Sequence, residues 1–345
     1  MIGVSLMRGY KWLVAVVLTC GLGGTALAQE TGSSTLDAVR ARGQLICGVS
    51  GEIAGFSFID SKGVMQGLDA DGRAIAATTL GDASKVRFVP LAPQVRFTAL
   101  QSGEIDVLLM NTTWYLSRES RLGLTFASIN FWDGTGVIVK GAGGVKHIAD
   151  LDGAAICVRP GTNTELDLAD WGRSARVNYT PVQIGGVAEM QQAFLSGRCD
   201  AFASDVSQLA GFRFAQGAKA SELSILPEQI SAGPSGAVVR KGDDRWFDIV
   251  RWTHFAQVAA ENLGVSQTNV DASVGGTKPD IRRLLGEEGD LGVSLGLDNR
   301  WAFAAIKQVG NYGDMFDRSL APEGLGRGAN ALWSKGGLQF APPIR

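Results

Sequence analysis

Val107-Leu-Leu-Met110, followed by Asn111-Thr-Thr-Trp-Tyr-Leu-Ser-Arg118, is the passage whose reading sets the fold. Four apolar residues bounded by polar ones read as a short buried strand. The polar run that follows stands where the strand ends and the chain turns. In open α/β sheets ligands bind at that carboxyl edge. The run carries hydroxyls, an amide and the Arg118 guanidinium, whose planar fork can donate two parallel hydrogen bonds to a carboxylate. Nothing beside it reads as a nucleophile with its base. The plainer alternative is a polar loop with Arg118 solvated.

The segments before this passage alternate between strand and helix. Leu36–Arg42 reads as a helix stopped by Gly43, and Gln44–Val49 as a strand. Phe56, Phe58 and Ile59 lead into the turn Asp60-Ser-Lys-Gly63, which predicts a hairpin. A helix follows over Ala70–Thr79, then a strand at Val86–Val89, a helix at Val95–Leu100 and the strand Ile105–Met110. Such alternation predicts an α/β fold with a largely parallel sheet. The pattern then recurs: strand Ala154–Val158, a helix opened at Gly161, strand Val177–Val182, helix Val187–Leu195 and strand Ala201–Ala203.

Two segments match across the halves. Leu100-Gln-Ser-Gly-Glu-Ile-Asp106 stands beside Phe194-Leu-Ser-Gly-Arg-Cys-Asp200. Five residues beyond each aspartate the chain leaves its strand, at Asn111 and at Asp205. Two lobes on one plan would place these loops on a shared cleft; the alternative is that Ser-Gly-x-x-Asp is ordinary helix-end chemistry. Gly134–Val139 and Gly236–Val239 read as the two crossings between lobes. A long helix over Arg245–Leu263 follows, then helices at Ile281–Leu285 and Asn299–Val309, and an extended strap over Ala331–Pro343.

The chain's 345 residues allow two domains or lobes, and 45% hydrophobic against 19% charged residues is enough for real cores. A net charge of -2 without a basic stripe gives no nucleic-acid signature. Arg8 and Lys11, the apolar run Trp12–Leu18 and Ala26-Leu-Ala28 predict a secretory signal peptide over 1–28, with Gln29 opening the mature chain. Thr19 before Cys20 argues against a lipid anchor. In an oxidising compartment a Cys157–Cys199 disulfide is favoured, both cysteines lying at strand positions of the same half. The alternative leaves Cys47, Cys157 and Cys199 as buried thiols.

Arg159-Pro-Gly-Thr-Asn-Thr-Glu165 joins a strand to a helix and makes an anion seat of free backbone N–H groups. Plain N-capping by Thr162 or Thr164 reads as well. Asp205, set against Arg118, could accept an ammonium; singly it reads as the cap of a helix from Val206. Arg96 opens a helix, where a cation opposes the dipole, which hints at an acidic ligand; a solvated arginine is the alternative. His147 and His254 are the two histidines, and neither lies near a nucleophile or a zinc spacing. Asp69 with Asp71, and Glu287 with Glu288, read as solvated or capping pairs.

Together the chain resembles the periplasmic amino-acid-binding proteins of polar-amino-acid ABC transporters, solute-binding protein family 3, with most likeness to the general L-amino-acid and glutamate/glutamine/aspartate/asparagine branch. The resemblance rests on Phe97–Asp106, Asn111–Trp114 with Leu116–Arg118, Gly197–Asp200 with Asp205, Gly242–Asp248, Gly310–Gly313 and Ala331–Leu338. It implies an α/β two-lobe periplasmic-binding-protein fold of type II with two crossing hinge strands. The expected parts are lobe 1 at 35–137, lobe 2 at 138–236 and the rest of lobe 1, with its helical extension and strap, at 237–345. It also implies a monomer that carries an L-amino acid to a membrane permease and its ATPase, without catalysis, cofactor or metal. In the resemblance, Arg118 grips the α-carboxylate with help from Thr113. Asn111 lies beside the α-amino group, and Asp205 pairs with it. The backbone at Thr162 and Asn163 meets the carboxylate, and Arg96 reaches an acidic side chain. Three departures stand out. The Asp69–Arg73 region lacks the cysteine usual in this branch, which leaves Cys47 without a partner. Asn163 replaces a usual threonine. Ile53 stands where single-substrate relatives place an aromatic ring, which favours broad polar or acidic specificity.

Overall fold

The computed structural model describes residues 34–141 and 144–345; the expected signal peptide lies outside them. In chain order, the first half holds α1 (Ser34–Arg42), β1 (Leu45–Val49), the small strands β2 (Glu52–Ile53), β3 (Ser57–Ile59) and β4 (Met65–Gln66), then α2 (Arg73–Leu80), β5 (Val86–Pro90), α3 (Arg96–Gln101), β6 (Val107–Leu108), α4 (Leu116–Arg121) and β7 (Leu124–Phe126). After β8 (Phe131–Asp133) come β9 (Thr135–Lys140), β10 (Ala155–Val158), α5 (Asn163–Ala175), β11 (Thr180–Gln183), α6 (Val187–Leu195), β12 (Ala201–Asp205), α7 (Val206–Ala215) and β13 (Leu223–Ile225). The chain returns through β14 (Gly233–Ser235) to β15 (Val238–Arg240) and the long α8 (Asp244–Leu263).

Two five-stranded sheets share one plan. Their orders are β5-β1-β6-β15-β7 and β11-β10-β12-β9-β13. In each, three parallel strands lie side by side, and a fourth strand pairs antiparallel with the third of them in the sheet order. The second sheet is buried on both faces, as parallel sheets with helices on each side require. Ile138, Cys157 and Phe202 pack under α6 and α7, whereas Val137, Val139, Ile156, Ala201 and Ala203 pack on the opposite face with Leu168 of α5. This is the two-residue side-chain period of a strand.

The matched Ser-Gly-x-x-Asp segments have a common job. Gly103 and Gly197 stop α3 and α6 at φ 80° and 85°, a left-handed turn that glycine makes without strain. Three residues on, the Asp106 carboxylate accepts the Ile46 N–H at 2.7 Å, and the Asp200 carboxylate accepts the Ala155 N–H at 2.8 Å. Each aspartate thus ties the strand it opens to that strand's parallel neighbour, β1 for Asp106 and β10 for Asp200. Equivalent tethers put Asn111 and Asp205 at equivalent strand ends.

The crossings differ from the expectation. Gly134–Val139 and Gly236–Val239 supply the sheet strands β9 and β15. The chain passes between the sheets just before them, through β8 and β14, which pair with each other antiparallel. The apolar runs are wholly buried and belong in the cores, whereas β8 and β14 are only partly covered. The tail also differs. Helix Tyr312–Ser319 was not expected, although Asn311 and Asp314 form a reciprocal capping box at its start. The strap contains a 3-10 turn at Trp333–Lys335, between Leu332 and Gln339, which pair. Cys157 and Cys199 form the disulfide, their Cα atoms 5.6 Å apart, and Cys47 is a buried free thiol whose pKa burial raises.

Candidate functional site

The two sheets meet at their strand ends around Asp205. It is 7% exposed and stands at the N-cap of α7 without capping it by its side chain. Capping falls instead to Asp133 of β8, whose carboxylate accepts the Ser207 N–H and hydroxyl. The Asp205 carboxylate is left to face the cleft. Its Oδ2 accepts from Asn111 Nδ2 at 3.1 Å and Gln208 Nε2 at 2.8 Å, and its Oδ1 from Asn163 Nδ2 at 3.0 Å. Burial raises its pKa, with Asn163 opposing and Asp167 adding to the rise.

Asn111 adopts φ 44°, a left-handed conformation that asparagine tolerates better than most residues. The buried Asp69 carboxylate holds it there by accepting its backbone N–H. Its side-chain oxygen accepts from Ser235 Oγ of β14 at 3.0 Å. The next residues run along β14 as well: Thr113 bridges Ser235, and Trp114 N–H donates to Pro234 O at 2.7 Å. The ligand-edge passage is therefore laced to a crossing strand.

Arg118 lies on α4 and is 6% exposed. Its Nη1 donates to Thr113 O at 2.7 Å, and its guanidinium stands 5.3 Å from the Phe97 ring and 5.0 Å from that of Tyr115. Arg96 stands by the same Phe97 ring, 4.8 Å from its centre. It is 3% exposed, so it is not the solvated cation of the alternative reading, and its Nε and Nη2 make no hydrogen bond. Burial, then the nearby Arg118 charge, lowers its pKa to about 9, with Asp205 pulling the other way. A buried guanidinium with unpartnered nitrogens is costly unless an acceptor arrives.

A cavity of about 30 Å³ lies between these groups. Its wall includes Arg96, Asn111, Thr162, Asn163 and Asp205; Thr113 and Arg118 stand beside it rather than on it. Thr162 caps α5 by accepting Glu165 N–H at 3.3 Å. The expectation for Asn163 concerned its backbone, whereas its side chain is the part that engages Asp205. Arg159 and Gln208 also line the wall, and neither was singled out from the sequence. For Arg159 the only available signal was its place on the anion-seat loop.

Among the described residues, five contacts draw the halves together around this cavity. Besides Asn111–Asp205, Gln94 donates to Pro160 O at 3.0 Å, Tyr115 OH to Asp167 at 2.5 Å, and both Arg159 (3.4 Å) and Val187 N–H (3.1 Å) to Glu52. Asp69 and Asp71, read from the sequence as solvated or capping, are buried instead: burial raises them to about 7 and about 6. His254 is buried and held low, to about 4, by that burial, while His147 contacts Glu228 at the surface. Among the described residues no group of three or more histidine, cysteine, aspartate or glutamate side chains could hold a metal ion.

Residues 45–261 match the model of the family described as bacterial extracellular solute-binding proteins, family 3. The chain is 49% identical, over 98% of its length and 100% of the relative, to the glutamate/glutamine/aspartate/asparagine-binding protein BztA of Rhodobacter capsulatus. It is 44% identical, over 95% of its length and 99% of the relative, to the general L-amino acid-binding periplasmic protein AapJ of Rhizobium johnstonii. A solved ABC-transporter periplasmic binding protein from Brucella ovis, with glutathione bound, is 47% identical and superposes with a TM-score of 0.87 over 91% of this chain and 100% of that one. With its two like sheets, paired crossings and a charged cleft between them, the chain belongs to the bacterial extracellular solute-binding proteins of family 3.

Proposed function

We propose that this protein is the periplasmic substrate-binding component of an ABC importer. It captures L-amino acids with polar or acidic side chains (glutamate, glutamine, aspartate and asparagine) and delivers them, as a monomer, to a membrane permease with its ATPase. The observation that carries this reading is the buried Asp205 carboxylate and the buried, unpartnered Arg96 guanidinium on the wall of one cavity, with Arg118 beside it. An ammonium suits Asp205, and an α-carboxylate suits Arg118 with Thr113 and the N–H groups at Thr162 and Asn163. An acidic or amide side chain supplies the acceptor that Arg96 lacks. Three arginines about one cleft, including Arg159, favour a ligand with a surplus of negative charge. The names of the two relatives point the same way.

The mechanism is hinge closure. The ligand bridges groups from both halves, so it binds the closed form better and shifts the population toward it. A thermal-shift screen over the common amino acids tests the proposal. Stabilisation by several polar ones, glutamate included, is expected; stabilisation by none would refute it.

The alternative on the same fold is an enzyme such as a cyclohexadienyl dehydratase. Among the described residues, Asp205 is the sole carboxyl on the cavity wall, and three amides already hold it. Among the described residues that wall carries no second carboxyl to serve catalysis, and we expect no turnover of prephenate or arogenate. An amino-acid sensor serving a membrane receptor would use the same cleft.

A further inference from the structure

A second cavity, of about 180 Å³, abuts the cleft. The two share Ile53 and Gln208 as a common wall. Both halves of the molecule enclose it: Glu52 and Ala54 from the β2 hairpin on one side, Ala188 and Gln191 of α6 and Phe212 of α7 on the other. The lining is mostly apolar, with side-chain amides from Gln191, Gln208 and Gln216.

Gln208 makes the partition conditional. Its Nε2 donates to Asp205 Oδ2 at 2.8 Å, and its Oε1 accepts from Ser204 Oγ at 3.2 Å. An ammonium that reaches Asp205 competes for the same oxygen. Displacement of the Gln208 amide frees a donor and loosens the wall between the cavities. The side chains at the chamber's edge restrict what can enter. Glu52 stands there, its Oε2 accepting from Arg159 and from the Val187 N–H. Among the described residues no lysine or arginine lines the chamber, so an anionic tail finds no cation to pair with there, whereas a neutral tail needs none. On the cleft side, the unpartnered Arg96 nitrogens can donate to a carbonyl oxygen as well as to a carboxylate.

We propose that this chamber is a second subsite of the cleft, which accepts the neutral, amide-linked tail of a glutamate derivatised at its γ-carboxyl, a γ-glutamyl amide. The proposal rests on the amino-acid reading of the cleft. The head of the ligand keeps Arg118 and Asp205, its γ-carbonyl meets Arg96, and its tail passes Ile53 and Gln208 into the chamber.

Calorimetry with L-glutamate and with L-γ-glutamylethylamide tests it, on the wild type and on Ala54→Trp and Ala188→Trp. Both alanines are solvent-exposed on the chamber wall, so the added ring fills the chamber without displacing a core. The two variants sit on opposite halves, and thermal melts show that each is folded. We expect the wild type to bind both ligands. Each variant should hold L-glutamate within about twofold of wild type and lose at least about tenfold for the ethylamide, as overfilled volume costs a ligand. Binding of glutamate but not the ethylamide by the wild type overturns the subsite and leaves the amino-acid site standing. Equal effects of the substitutions on both ligands overturn it too. Binding of neither ligand removes the amino-acid reading first, and the subsite with it.

Discussion

On the proposed reading, Asp205 and Arg118 divide the recognition of a zwitterion between them, and their substitutions separate from that of Arg96. Arg118→Ala removes the carboxylate grip and strands a buried ligand charge, so L-glutamate and L-glutamine should both lose about 2–5 kcal/mol of binding free energy in calorimetry. Arg96→Ala should weaken glutamate more than glutamine, because only the former brings a charge to that guanidinium. Equal losses for the two ligands would place Arg96 outside the side-chain pocket. Asp69 gives a second expectation. Its folded pKa is raised to about 7, chiefly by burial, above the unfolded value near 4. The unfolded chain therefore releases its proton first, and stability is lost as pH rises from about 4 to about 7, by up to roughly 4 kcal/mol. Urea titrations across that range should show the loss, and Asp69→Asn should reduce it; an unchanged slope would mean that Asp69 does not titrate there. The place of Asn111 and Asp205 at equivalent strand ends was legible in the sequence because each stands five residues beyond the aspartate of a Ser-Gly-x-x-Asp segment. The burial of Asp69, Asp71 and Arg96 was not. It depends on neighbours far along the chain, such as Arg318, which pairs with Asp71 at 2.8 Å across 247 positions.

The recurring strand–helix unit was the most readable element. Helix α6 has the bounds expected from its pattern, Val187–Leu195, since an apolar period and a following Ser-Gly stop define it locally. The crossings were misplaced because apolar character marks burial, and burial marks a sheet interior rather than a hinge. The helix Tyr312–Ser319 was missed because its capping pair falls in a segment rich in glycine. In the second sheet, the Cys157–Cys199 disulfide joins β10 to the residue group that opens β12, closing a loop with a sequence separation of 42. A cross-link of that span should contribute about 4 kcal/mol by restricting the unfolded chain. The double variant Cys157→Ser with Cys199→Ser should therefore unfold at lower denaturant than the wild type. An unchanged midpoint would mean that the bond adds no net stability.

For the molecule as a whole, the contacts that span the cleft set how readily it closes. Tyr115 OH to Asp167 is the shortest of them, and Asp167 also accepts from Thr135 and Ser231, both at 2.7 Å. Tyr115→Phe removes one charge-assisted bond from the closed form alone. We expect L-glutamate affinity to fall by about 1.5–3 kcal/mol, and small-angle scattering to show a more expanded unliganded protein. A variant that matches wild type in both would relieve Tyr115 of any part in closure. The two-lobe plan was readable from the duplicated Ser-Gly-x-x-Asp segments. The chamber behind Ile53 and Gln208 was not, since its walls come together only when the halves do. The assignment of the cleft is tested most directly by a crystal structure with L-glutamate bound. We expect the α-carboxylate within hydrogen-bond distance of Arg118, the ammonium on Asp205 and the γ-carboxylate on Arg96. A glutamate bound outside this cleft, or one whose ammonium does not touch Asp205, would contradict it.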